Sequence, residues 1–201
     1  MTFIINEYWH FFLLIIFAAS AVGFFAGLFG IGGGLISVPC LFFIFETLNF
    51  DKNFLMHLTV GTAFTITIFT STVSVMTHNK NKLVDFSVVK TFGIFVVIGV
   101  LAGTFFASIM KTKTLVLFFS VVVYFFGAYL MMAQEKVKKI KPNSSITPRV
   151  ILGLFSGFVS APMGITGAMM NVPILRYLGY PISKCIGSAA AIGFFISFTG
   201  S

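Results

Sequence analysis

The chain has 201 residues, 58% of them hydrophobic and 9% charged, with Phe alone at 28 positions. A soluble domain carries about 25% charged residues, mostly on its surface, so a water-facing enzyme or a nucleic-acid binder is excluded. The net charge of +8 then reads as the Lys/Arg excess of cytoplasmic loops in contact with anionic headgroups.

Asp, Glu, Lys and Arg leave six uncharged stretches: 8–45, 53–79, 91–110, 114–134, 150–175 and 185–201. A bilayer-spanning helix needs roughly 20 mostly apolar residues. The first five stretches reach that length, and the sixth runs into the last residue. The pattern predicts an all-α fold: a polytopic transmembrane helical bundle with an internal repeat and glycine-broken helices.

In the first stretch, residues 11–17 are apolar and Ala19-Ser20-Ala21 resembles a signal-cleavage site. Glu7 stands where a basic region belongs, however, and apolar sequence continues past Ala21, so a retained first helix is expected. The stretch is 38 residues long and contains Gly30 and the consecutive Gly32, Gly33 and Gly34. Each interior glycine costs a helix roughly 1 kcal/mol relative to Ala. A break at 30–34 resolves both the length and the glycines, leaving a short helix over 35–45 of roughly 16 Å. Irregular backbone at membrane depth survives only against protein or a watery cavity. Broken helices whose N-terminal N–H groups converge on a substrate are a transporter device that favours anions. No Gly-Lys-Ser/Thr follows the glycines, which excludes a nucleotide loop.

Further along, Gly99/Gly103 and Gly153/Gly157, like Gly23/Gly27, have the small-xxx-small spacing of close helix packing, which is their expected role. Residues 133–149, AQEKVKKIKPNSSITPR, form a solvated basic linker. The segment beyond this linker repeats the start of the chain. Aligning Gly30-Ile31 with Gly164-Ile165 pairs Gly33 with Gly167, Val38 with Val172, Pro39 with Pro173 and Leu41 with Leu175. Gly23 and Gly27 match Gly153 and Gly157 if four extra residues are allowed around 160–163, and Val60-Gly61-Thr62-Ala63 matches Ile186-Gly187-Ser188-Ala189. The organisation is a first repeat over 1–132 with four apolar segments, a cytoplasmic linker over 133–149, and a partial second repeat over 150–201 with two. Two helices of the second copy are expected to be missing, as in a truncated or split gene product.

Catalytic and coupling groups are sparse. Glu7, Glu46, Asp51, Asp85 and Glu135 sit at stretch ends or in loops, so no mid-membrane carboxylate marks a proton or cation relay. His10, His57 and His78 read as interfacial, and Cys40 and Cys185 as small buried residues. Ser156 beside Gly157 is the one candidate nucleophile, but no histidine lies inside a stretch to activate it. Two orientations are open. If each broken stretch crosses once, the basic residues divide eight against five; if each folds back as a hairpin, Arg176 and Lys184 change sides and the division is ten against three. Both place the 77–90 and 133–149 loops in the cytoplasm.

These residues resemble the sulfite exporter TauE/SafE family of membrane permeases. The resemblance rests on GFFAGLFGIGGGLISVP, on Val60-Gly-Thr-Ala63, and on Lys82-Leu-Val-Asp85 leading into the Gly99/Gly103 helix. It implies a permease that moves small sulfur-containing or organic anions, such as sulfite or sulfonates, across the cell membrane. The expected substrate site combines Gly30, Gly32, Gly33 and Gly34 with Gly164, Thr166, Gly167 and Asn171 at the second break, and Thr62 and Ser188 as nearby hydroxyls. No catalytic residue, metal or cofactor is expected. The expected partners are a small anion, the bilayer, and either a second copy or a missing C-terminal fragment, with no nucleic acid. The rival readings are a non-transporting truncated remnant, a membrane assembly protein and, weakest, an intramembrane enzyme.

Overall fold

A computed structural model describes residues 33–132, 146–166 and 168–201, together with residues 9, 13, 15–17 and 19–24. The described residues form helices and no strand. After a first helical segment come α1 (Gly34–Thr47), α2 (Leu55–Lys80), α3 (Phe86–Ser108), α4 (Thr112–Met132), α5 (Ile146–Met163), α6 (Ala168–Tyr177) and α7 (Ile182–Gly200). Five of them, α2 to α5 and α7, contain stretches long and apolar enough to cross a membrane. The uncharged stretches therefore become helices, and the fifth is divided by a break; the break expected at 30–34 in the first lies largely outside the described residues.

The main core lies where α3, α5, α6 and α7 meet, around Phe92, Val96, Val100, Ile192 and Ile196, all fully buried. Lipid tails are as apolar as these side chains, so transfer from water drives little helix association, and close packing takes its place. The α3–α5 contact, the most extensive in the fold, shows how. A Cβ built on Gly99 would fall on the Leu154 carbonyl oxygen, and one on Gly157 on that of Val96. Gly103 lies as close to the Phe158 carbonyl, and Gly153 to Phe95. The two small-xxx-small pairs are thus opposite halves of one backbone-to-backbone seam.

Hydrogen bonds sort the helix ends to two faces. Asp85 caps α3 by accepting from the Ser87 and Val88 N–H groups, while its own N–H donates to Ser188 Oγ at 3.0 Å. Lys184 Nζ stands 3.7 Å from the Asp85 carboxylate, and Gly187 admits Leu83 against α7. The start of α7 is therefore fixed beside the start of α3. Arg149 on α5 donates to Tyr180 just before α7 at 2.9 Å and to Thr91 on α3 at 3.3 Å. Hence α5 leaves this face and α6 returns to it. This is a hairpin, so Arg176 and Lys184 share a face with Arg149, Lys80 and Lys82. At the opposite face, Thr112 Oγ1 donates to the Asn53 carbonyl at 2.7 Å and His57 Nε2 lies 3.1 Å from the Ala107 carbonyl. That bonding gathers the start of α2, the end of α3 and the start of α4, and α1 runs toward the same face.

The seam predicts a sharp contrast between glycines. Gly157→Leu should lower thermal stability in detergent by about 1–3 kcal/mol through overpacking. Gly127→Leu on α4, where nothing lies within 4 Å, should leave the melting temperature unchanged.

Candidate functional site

The two breaks touch. Built on Gly34, at the start of α1, a Cβ would lie 2.6 Å from the Gly164 carbonyl oxygen and 2.9 Å from Ile165 Cα. Gly164 has φ +65°, a left-handed conformation that suits glycine, and packs in turn against Val38 and Val60. From this crossing α1 runs toward one face, and α6 toward the other. At ten residues α6 is about 15 Å long, half of a ~30 Å hydrocarbon core.

Beside the crossing lies a cavity of about 560 Å³. Its polar lining comes from Gly33 and Ser37 at the head of α1, Thr67, Ser71 and Ser74 on α2, and Thr166 at the second break, with His78 farther along α2. Ser37, Thr67, Ser71 and Thr166 are buried. Gly33 caps α1 without any side-chain hydrogen bond, and the first turn carries no acidic residue. The positive dipole end of α1 therefore stands beside the cavity.

The residues expected to form the site are divided among three environments. Gly33 and Thr166 line the cavity. Gly34 and Gly164 make the backbone crossing next to it. Thr62, Asn171 and Ser188 lie outside the lining: Thr62 Oγ1 donates to the Leu58 carbonyl at 2.8 Å, and Ser188 Oγ receives the Asp85 N–H. Asn171 is fully buried, its Oδ1 accepting from Ser156 Oγ, while its Nδ2 has no partner among the described residues. Gly30, Gly32 and Gly167 fall outside the described residues. The Ser156 hydroxyl thus faces an amide rather than a base. Among the described residues no cluster of His, Cys, Asp and Glu could hold a metal ion.

Ser37, Thr67, Ser71 and Ser74 were not legible as site residues. On α2 the last three follow i, i+4, i+7 spacing, a helix face, and that spacing is the signal that could have found them. It is obscured by Thr59, Thr62, Thr65, Thr70, Thr72 and Thr77, which spread hydroxyls around the same helix.

This geometry, with the start of α1 crossing the α5–α6 break beside a mainly apolar cavity that several hydroxyls border, coincides with a family match over nearly the whole sequence. The pattern of the sulfite exporter TauE/SafE family matches residues 15–201. The chain belongs to that family. It is 31% identical over 197 residues to a "Probable membrane transporter protein" of Haemophilus influenzae, a match covering 94% of this chain and 72% of the relative. A protein of the same description from Methanocaldococcus jannaschii is 26% identical over 180 residues, covering 89% of this chain and 67% of that one. A third, from Bacillus subtilis, is 22% identical over 209 residues, covering 94% and 77%. No solved structure matches the chain. The TauE/SafE protein is thus a membrane protein of a transporter family, and two stretches singled out in its sequence acquire physical roles: Lys82-Leu-Val-Asp85 and Ile186-Gly-Ser-Ala189 bind each other at the α3–α7 corner.

The Ser156–Asn171 bond ties the two arms of the α5–α6 hairpin. Ser156→Ala should destabilise the protein by about 1–3 kcal/mol, because a second buried polar group of Asn171 is left unpaired. The double variant Ser156→Ala/Asn171→Leu should melt above that single variant. A double variant no more stable than Ser156→Ala would show that the amide is satisfied elsewhere.

Proposed function

We propose that this TauE/SafE protein is a multi-pass permease of the cell membrane for small anions, with sulfite, sulfonates and similar organic anions as its substrate class. The supporting observation is the acid-free N-terminus of α1 beside a cavity that Ser37 and Thr166 border. The helix dipole favours negative charge, and Ser37 and Thr166 add neutral donors that hold an oxyanion without binding it too tightly to release. The sulfur-containing substrates come from the family's description. The same arrangement supports transport over catalysis, since the buried Ser156 hydroxyl of the hairpin is bonded to the Asn171 amide.

The half-helices meet between the two faces, where a substrate reached in turn from each side would need them. Two repeats packed about such a crossing suit alternating access. The basic residues of one face, Lys80, Lys82, Arg149, Arg176 and Lys184, assign that face to the cytoplasm.

Vesicles containing the protein should release loaded sulfite or a small sulfonate. Gly33→Leu should abolish that efflux while the protein still inserts. Thr166→Val should slow it by about 5-fold, the effect of one neutral hydrogen bond of roughly 1 kcal/mol. Unchanged efflux in Gly33→Leu would remove the site, and efflux of neither anion would remove the substrate class. Orientation is read separately, in a Cys40→Ala/Cys185→Ala background. Asn81→Cys should react with an impermeant maleimide only in inverted vesicles, and Ser108→Cys only in intact cells; the reverse pattern would overturn the topology.

A further inference from the structure

The elements that wall the cavity continue into a second pocket. This pocket, of about 200 Å³, lies toward the face where His57 meets the Ala107 carbonyl. Among the described residues none lines both spaces, yet three elements pass from one to the other. On α2, His57, Val60 and Phe64 line the pocket. Thr67, Ser71, Ser74 and His78 line the cavity. Steps of three and four residues alternate from His57 to His78, so all of these share one helix face. On α7 the same spacing runs from Ala190 and Gly193 in the cavity through the fully buried Ser197 to Gly200 in the pocket. The α5–α6 break has Pro162 in the pocket, Thr166 in the cavity and the Gly164 turn between them.

The wall between the two spaces is thin. Val60 packs on the Gly164 turn, with its Cγ1 at 3.4 Å from a Cβ built there. Beside it the Phe64 ring is fully buried, and a Cβ on Gly200 would meet three of its carbons at 2.7, 3.0 and 3.1 Å. Gly200 thus gives the ring its seat. One turn further along α2, Thr67 already lines the cavity. The far side of the ring is polar. Thr104 and Ser108 border the pocket with their hydroxyls, and His57 Nδ1 has no partner among the described residues. The cavity's extension along α1, by contrast, passes Cys40, Leu41 and Ile44, an apolar wall for a hydrated anion.

We propose that the cavity and the pocket are two segments of one transmembrane route, and that the Phe64 ring is the barrier between them. The permease reading supplies the passenger, a small hydrated anion; the route stands on the helix faces alone. The ring closes the path as a hydrophobic constriction does, by excluding water from a passage too apolar to hold it. Swinging it off Gly200 opens the way from Thr67 to His57, while the backbone crossing of Gly34 and Gly164 stays in place.

Thiol labelling tests the route without requiring transport. In the Cys40→Ala/Cys185→Ala background, Ser108→Cys and Ser71→Cys are exposed to the impermeant anion sulfonatoethyl methanethiosulfonate, in intact cells and in inverted vesicles. The preparation that labels Ser108→Cys defines the pocket face. From that face Ser71→Cys should react at least tenfold more slowly than from the other. Adding Phe64→Ala should raise its pocket-face rate at least tenfold, and Phe64→Leu, which keeps more of the buried volume, by a smaller factor. Phe92→Ala removes an equally buried ring from the core around α3 and should leave that rate unchanged, which separates a barrier from general loosening. Three results overturn the proposal: Ser71→Cys reacting equally from both faces with Phe64 present, neither Phe64 variant raising the pocket-face rate, or Phe92→Ala raising it as much. Labelling as expected in a protein that effluxes no anion would retire the permease reading and leave the route standing.

Discussion

Hydrocarbon offers no hydrogen bonds, so any interruption of a membrane helix must be covered by protein or must border a polar space. In this protein the break between α5 and α6 is covered by the start of α1. Gly34 lies against the Gly164 carbonyl at a distance that no side chain would permit, and the left-handed Gly164 turns the chain so that the contact can form. One side of the crossing is closed by Val38 and Val60. The other opens on the cavity. The position of the site, the direction of both half-helices and the sides on which the hairpins enter all depend on this backbone contact.

A second contact of the same kind holds the frame. The α3–α5 seam brings two backbones together through Gly99, Gly103, Gly153 and Gly157, and the Arg149 and Asp85 bonds fix the helix ends around it. The frame joins the two halves of the chain: α3 belongs to the first and α5 to the second. The hairpin that carries Thr166 is consequently anchored on the half that carries Gly33. In a transporter of this family that anchoring is what allows two breaks from distant parts of the sequence to share one cavity.

The glycines of the chain divide by what their missing side chains admit. Those of the seam admit backbone, Gly187 admits a loop, and Gly34 admits the opposite break. Gly23 and Gly61 have nothing against them among the described residues, although their counterparts are filled. Thr62 is a clear case: in the sequence it looks like a ligand hydroxyl, whereas its counterpart Ser188 is a structural acceptor at a helix corner.

The membrane-spanning helices, the break between α5 and α6 and the Gly99/Gly103 and Gly153/Gly157 packing pairs were readable from the amino acids alone, because each leaves a composition signal in the chain: missing charges or closely spaced glycines; of the Gly23/Gly27 pair, Gly23 meets nothing among the described residues and Gly27 lies outside them. The family was readable in the same way, since Gly-rich runs followed by proline are local patterns. The folding back of the second break as a hairpin was not, because charge counts fit both topologies until Arg149 is seen bonded to Tyr180. The cavity face of α2 likewise emerged only from the packed helices. Threonine and serine satisfy themselves on their own helix, as Thr67 does on the Ala63 carbonyl at 2.7 Å. Hydroxyls facing lipid and hydroxyls facing a site therefore look alike until neighbouring helices distinguish them.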